Sequence, residues 1–270
     1  MDDRLEEGIR RAVGMSDLAS LLAAVFRFPE DEKLASALVD GTFLADWQAS
    51  WEDACGVPCD AGHVESCRVA FSCIDHAALR REYSRLFLAP GAEVPIWPYE
   101  SAFLHRKAQR TDVPNLFRTR VTVDVERQMN EARVRPVHAR TEPCDSMGTE
   151  FEFLAYLYAS WGEALRCRAE ADNAGEKVEG SPAAGSAGRE AGGASMADSA
   201  DEEAGDASAA DVVLWQRRIT SFAREHALAW LPELMDQVIA ESRSEEYRCL
   251  AALGGGFLAE LARDCKRFAE

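Results

Sequence analysis

Positive charge is scarce in this sequence. Thirty Lys and Arg stand against 47 Asp and Glu, for a net charge of -17 and a pI near 4.8. Nucleic-acid phosphates are held by clustered Lys and Arg, so nucleic acid is excluded as a partner. The acidity suits a basic peptide or protein, drawn in by long-range steering, and it also keeps a chain soluble. Long apolar runs are missing too. No window approaches the roughly 18 apolar residues of a membrane span. The charged start, "MDDRLEEGIRRAVGMSDLAS", lacks the roughly 7–15-residue apolar core of a secretory signal. These absences predict a cytoplasmic protein with no stable membrane insertion.

Catalytic signatures are equally sparse. There is no GxSxG, no HExxH and no Gly-rich phosphate loop after a strand. "GGG" at Gly254 to Gly256 lies inside a helical pattern, where it serves close packing or a kink. The expectation is a protein that is not an enzyme and carries no cofactor. Paired C-x2-C knuckles are also absent, although there are eight cysteines, at 55, 59, 67, 73, 144, 167, 249 and 265. In the cytoplasm these are thiols rather than disulfides. Cys55, Cys59, His63 and Cys67 succeed one another at x3 spacing and have the ligand types of a zinc or iron–sulfur site. The alternative is a Cys-rich helix connection with free or buried thiols.

Strand-like alternation is almost confined to "FRTRVTVDV", Phe117 to Val125; the rest reads as helix. In "SDLASLLAAVFRFP" Leu18, Leu21, Leu22, Val25 and Phe26 recur at helical spacing, with Ser16 as N-cap and Pro29 as stop. "DEKLASALVDGTFLADWQASWEDACG" continues that period to Gly56. Leu79, Tyr83, Leu86 and Phe87 share one face before Pro90-Gly91. "VDVERQMNEARV" gives a shorter helix, and two more come after Asp211. The fold class is therefore all-α, a single bundle-like domain of about eight or more helices. It spans 1–169 and 212–270. Between them, 170–211 holds eleven acidic residues against Lys177 and Arg189, a net of -9, with no aromatic residue. Such a stretch buries too little to offset its ordering entropy. It reads as a disordered acidic Ala/Gly/Ser-rich insertion, whose closure costs little.

The most specific segments are four. "EYSRLFLAPGAEVPIWPYESAFL" begins at Glu82. "EPCDSMGTEFEFLAYL" begins at Glu142, with Asp145 as a candidate N-cap for a helix starting near Ser146, and with Glu150 and Glu152 in its first turns. "FAREHALAWLPELMDQV" and "EYRCLAALGGGFL" come near the C-terminus. In this order they resemble the TorD/DmsD family of cytoplasmic chaperones for molybdenum-containing redox enzymes. Tyr83, Leu86 and Phe87 fit the first family element. Pro98, Tyr99, Glu100, Ser101 and Phe103 fit the second, with Tyr99 where the family usually has Trp and with Trp97 nearby. Glu142, Pro143, Asp145, Gly148, Glu150, Phe153 and Leu154 fit the third, with Ser146 in place of the usual His. His226, Trp230, Leu231 and Pro232 fit the fourth. The resemblance runs from Asp17 to Phe268, except for the insertion.

The resemblance implies an all-helical protein without catalytic chemistry. Its partner would be the catalytic subunit of a molybdopterin oxidoreductase, engaged through its twin-arginine leader until the cofactor is inserted. Such a leader needs carboxylates for two guanidinium groups and an apolar groove for its apolar stretch. Glu100, Glu142 and Asp145 are the candidate carboxylates. Trp97, Tyr99, Phe103 and Met147 are the candidate apolar lining, with Ser101, Pro143 and Ser146 among them. On this view Asp145→Asn weakens leader binding more than it lowers the melting point. Phe153, Leu154, Leu157 and Trp161 repeat down one face and read as core, and His226 and Trp230 read as structural. A metal-binding redox or sensor protein built on Cys55 to Cys67, and a generic acidic adaptor, stay open beside this reading. Monomer and dimer are both compatible with the sequence.

Overall fold

The computed structural model of the chain describes residues 3–88, 94–110, 112, 114–136, 142–179 and 197–269. Among them are eleven α-helices and no strand: α1 (Asp3–Val25), α2 (Lys33–Val39), α3 (Thr42–Cys55), α4 (Ala61–Phe71), α5 (His76–Tyr83), α6 (Glu100–Lys107), α7 (Arg120–Glu131), α8 (Met147–Glu179), α9 (Ala197–Phe222), α10 (Leu228–Glu241) and α11 (Glu245–Arg267). A π-helical turn extends α5 at Ser84–Leu88, and another joins α9 to α10 at Ala223–Ala227. The all-α class expected from the periodicity is what the structure has.

The core forms around α1 and α8, which pack along one another. Helix α3 lies against α1, α9 against α8, and α10 pairs with α11. Trp47, Phe151, Tyr158, Trp230 and Phe257 are fully buried at these contacts. Each large apolar side chain so buried contributes about 1.5–3 kcal/mol relative to exposure. Gly14 sets the α1–α3 approach. A Cβ there would lie 2.4 Å from Ala54 N and 2.5 Å from Ser50 O, inside van der Waals contact with backbone. Beside it, Arg11 is buried and fully engaged. Its Nε donates to Asp264 Oδ1 at 2.7 Å, and Nη1 donates to Ala54 O. Nη2 reaches Glu260 Oε2 at 3.2 Å. Tyr158 Oη donates to Asp264 Oδ2 at 2.8 Å. This knot ties α1, α3, α8 and α11 together, and the buried charges have partners, as burial requires.

Helix boundaries differ from the sequence reading in instructive ways. Ser16 is not an N-cap: α1 starts thirteen residues earlier, at Asp3, and Ser16 Oγ donates across the interface to Ala155 O at 3.0 Å. The run from Lys33 to Gly56 is two helices, broken where Gly41 takes φ 84° and Asp40 Oδ1 accepts from Thr42 N. Gly56, φ 69°, ends the second, as expected. "FRTRVTVDV" is no strand. Thr119 Oγ1 accepts from Thr122 N at 3.0 Å and starts α7, and Thr122, Val125, Gln128 and Met129 bury one helical face. The cap and the 3–4 spacing outweigh the β-branched composition. Gly254 lets α11 approach α10, since a Cβ would sit 2.8 Å from Met235 Sδ. The two ends of the 170–211 stretch continue the flanking helices, α8 to Glu179 and α9 from Ala197. Residues 180–196 of it, like Pro90-Gly91, lie outside the described residues.

Candidate functional site: an acid-rimmed groove over buried carboxylates

The second and third sequence elements are clasped by backbone. Tyr99 and Ser146 form an isolated antiparallel bridge. On either side of it Glu100 N donates to Asp145 O and Met147 N donates to Pro98 O, both at 2.9 Å. The clasp fixes the starts of α6 and α8 together. Asp145 serves α6, not α8: its Oδ2 accepts from Ser101 N at 2.9 Å. The cap of α8 is Ser146, whose Oγ receives Thr149 N at 3.3 Å. The expected N-cap role of Asp145 is thus real but belongs to the other helix, because the backbone bridge turns its side chain across the clasp.

On the outer side of the clasp lies a groove of about 810 Å³. One wall is Pro98, Tyr99, Glu142, Ser146 and Met147. The facing wall comes from the connection between α1 and α2, through Phe28, Glu30 and Asp31, and from α3, through Asp46. Tyr83 and Leu88, from the first element, line it as well. Glu30, Asp31, Asp46 and Glu142 are exposed, and Met147 and Tyr83 are buried in its floor. Among the described residues two cations line it, and both are engaged: Arg27 pairs with Glu152 at 2.6 Å and Lys33 with Asp31 at 3.0 Å. Burial, then the charges of Glu142 and Asp145, raise the Tyr99 phenol above its ordinary pKa. Near the rim, burial raises the Asp17 carboxyl, and the charges of Asp53 and Asp46 raise it further. Excess negative potential therefore gathers along this edge.

Beneath the clasp the remaining carboxylates are buried. Glu100, Asp145 and Glu150 are at most 1% exposed. His226 sits among them, Nδ1 at 2.8 Å from Glu100 Oε2 and Nε2 at 3.0 Å from Asp124 Oδ2. With a carboxylate at each ring nitrogen both can donate. Burial pulls the imidazole pKa down, but Glu100 and Asp124 outweigh it, so the net shift is upward. Trp230 Nε1 donates to Glu150 Oε2 at 2.9 Å. Burial, and next the charge of Glu100, push the Glu150 carboxyl well above the ordinary carboxylate range. Asp145 is also raised, first by burial, with the hydrogen bond from Ser101 N opposing. Glu150 Oε1, Asp145 Oδ1 and Ser101 Oγ are buried with no partner among the described residues.

The structure thus brings Tyr99, Glu142, Ser146 and Met147 to one groove. Glu100, Ser101 and Asp145 lie below it, and Pro143 is buried in the turn that leads to Asp145. Trp97 and Phe103 are elsewhere, lining a second depression with Lys107 and Glu233, which pair with each other. Phe103 also packs on Trp230, ring centres 5.6 Å apart. Phe153, Leu154, Leu157 and Trp161 are core, as read from spacing. Five groove acids or cations, Arg27, Glu30, Asp31, Lys33 and Asp46, escape the sequence reading. The signal for three of them is the "FRFPED" run after α1, in which Pro29 reads only as a helix stop.

The cysteines scatter in role. Cys67 Sγ is 3.7 Å from His63 Nε2. Burial raises the thiol of Cys55 to about 11 and, with Asp145 and Glu126, that of Cys144 to about 12, where thiolate reactivity is suppressed. Cys55, Cys59, His63 and Cys67 do not bring three ligand atoms within 4.8 Å of one another; among the described residues Asp124, Glu225 and His226 do. No described helix is long and apolar enough to cross a membrane.

Residues 68–179 match the family model described as nitrate reductase delta subunit. The matched region contains the whole clasp and all of α8, and it ends before the fourth element on α10. No curated protein matches the chain. The family match over 68–179, with all four elements converging on one clasp and its buried acids, bears out the resemblance of this chain to the TorD/DmsD chaperone family.

Proposed function

We propose that the chain is a maturation chaperone for a molybdopterin-containing oxidoreductase, and that it holds that enzyme's twin-arginine leader in the groove beside the Tyr99–Ser146 clasp. One observation carries this reading: two of the family's sequence elements form a wall of a groove with an acidic rim and an apolar floor. The rim carboxylates of Glu30, Asp46 and Glu142 offer charge-assisted hydrogen bonds to guanidinium groups. Phe28, Tyr83 and Met147 offer a surface to the apolar residues of the leader. Charge draws the leader in, and the apolar contact supplies the selectivity. The chaperone acts by holding and releasing, with no chemistry of its own.

The expected binding residues divide under this reading. Tyr99, Glu142, Ser146 and Met147 contact the leader. Glu100, Ser101, Pro143 and Asp145 position that wall from beneath. Trp97 and Phe103 take part only through a leader long enough to reach the second depression.

Calorimetric titration with the leader of a molybdoenzyme, beside a scrambled peptide of equal charge, tests the proposal. The leader is expected to bind selectively, and Glu142→Lys to weaken it about tenfold or more, since a rim attraction becomes a repulsion. Asp145→Asn, reversing the expectation from sequence, is expected to cost more in melting temperature than in affinity. Equal binding of both peptides, with steep loss in salt, would return the protein to the class of generic acidic adaptors.

A further inference from the structure

Away from the groove, Asp124, Glu225 and His226 each place a ligand atom within 4.8 Å of the other two. They come from α7 and from the π-helical turn Ala223–Ala227. Consecutive residues on an α-helix diverge by about 100°; the wider π turn sends both Glu225 and His226 toward α7, and such turns recur at functional sites. Three arrangements around these residues are those of a ligand shell. Glu100 Oε2 is 2.8 Å from His226 Nδ1 and orients the ring, so that Nε2 faces the two carboxylates. A carboxylate behind a histidine is the usual outer partner of a metal-binding imidazole. Gln128 Nε2 donates to Glu225 Oε2 at 2.7 Å and to Asp124 Oδ2 at 3.4 Å, holding both acids toward the same point. His226, Asp124 and Glu225 also line a depression of about 550 Å³, which leaves an approach from solvent.

We infer that Asp124, Glu225 and His226 form a binding site for a divalent transition-metal cation, with zinc the best match to one imidazole and two carboxylates. Three protein ligands leave a fourth position for water. The cation takes the place of the proton between His226 Nε2 and Asp124 Oδ2, and that proton leaves to solvent. Charge favours the exchange: Glu100, Asp124 and Glu225 face the imidazole. Arg127 opposes it from α7, where it shares Asp124 Oδ1 at 2.9 Å and is also paired with Glu131, and Arg118 and Arg120 line the same depression. The site ties α7 to the α9–α10 junction, so its occupation would stiffen the layer under the clasp. It uses none of the groove residues.

The test is zinc titration of the full, untagged chain after chelator treatment, with subsequent cobalt substitution read in the visible spectrum. One zinc per chain is expected. Cobalt should give the absorption of a low-coordinate nitrogen and oxygen set, without a sulfur charge-transfer band. Glu225→Gln, on an exposed residue, is expected to weaken zinc binding about tenfold or more with unchanged circular dichroism, and Asp124→Asn to do the same. Cys55→Ser with Cys59→Ser is expected to leave binding unchanged. No binding by the folded chain would overturn the inference. So would binding indifferent to Glu225→Gln, and so would a cobalt spectrum with thiolate character, which would place the metal at the cysteines.

Discussion

Gly14→Ala is a one-carbon change whose cost can be worked from the backbone around it. The new Cβ would lie 2.4 Å from Ala54 N, 2.5 Å from Ser50 O and 2.9 Å from Ala54 Cα. None of these is a flexible side-chain end. Ordinary contact begins at 3.4 Å, so α3 must withdraw from α1 by about 1 Å. That movement pulls Ala54 O away from Arg11 Nη1 and loosens Phe43, Leu44 and Trp47 in the core. Overpacking of this kind costs about 1–3 kcal/mol, and a weakened hydrogen bond to a buried guanidinium adds about 1 kcal/mol or more. Alanine recovers about 1 kcal/mol in helix propensity. The net is a destabilisation of about 1–3 kcal/mol, or about 3–10 °C in melting temperature for a domain of this size. Gly255→Ala is the control, because nothing lies within 4 Å of its Cβ and only the propensity gain remains. Thermal unfolding monitored by circular dichroism should move the two variants in opposite directions. A Gly14→Ala protein as stable as the parent would refute the close-crossing argument, and so would a Gly255→Ala protein destabilised as much as Gly14→Ala.

Two further expectations concern protons. Glu150 is buried and held above the usual carboxylate range, so the folded state binds its proton more tightly than the unfolded chain does; the stability this gives is fully present below the unfolded pKa and is lost as pH rises toward the folded one. Glu150→Gln keeps an acceptor for Trp230 and carries no titrating proton, so it should leave the melting point at pH 7 unchanged or raised, while Glu150→Ala should lower it by the cost of a cavity and an unpaired indole, about 2 kcal/mol or more. Glu82 runs the other way. Burial pushes its pKa up, but Arg85, Arg243 N–H and Ser242 outweigh burial and hold it at about 2. Its stabilisation is present above its unfolded pKa of about 4.5 and is lost as pH falls toward about 2. Glu82→Gln should therefore flatten the stability profile between about pH 4.5 and 2; an unaltered slope there would remove Glu82 from the acid transition.

Much of the fold was legible because helical periodicity is local. Leu18, Leu22, Phe26, Phe153, Leu157 and Trp161 declare their faces from spacing alone, and all are core. Helix starts were less legible. Ser16 and Asp145 both have the chemistry of a cap, yet one bonds across to Ala155 O and the other caps a helix 44 residues earlier, at Ser101. A short polar side chain does not reveal which backbone will be opposite it. The site was legible by half for the same reason. Tyr99, Glu142, Ser146 and Met147 stand in sequence elements that could be matched, and they share a groove. Glu30 and Asp46 lie in the α1–α3 region, where only tertiary packing brings them opposite. Glu100 and Asp145 look like ligands for arginine in a one-dimensional reading. Burial instead assigns Glu100 to His226 and Asp145 to the backbone of α6.

The Tyr99–Ser146 clasp makes one wall of the groove and the first turn of α6 a single mechanical unit. Two backbone hydrogen bonds flank the bridge, and the residue that supplies one of their acceptors, Asp145, also caps α6. Separating the two sides of the clasp therefore unwinds a helix end at the same moment. Small excursions of the wall are suppressed, and opening becomes all-or-none. Amide exchange at Glu100, Ser101 and Met147 would then report one shared opening event, and an occupant of the groove would slow all three by a common factor. The groove behaves as a latch rather than a soft pad.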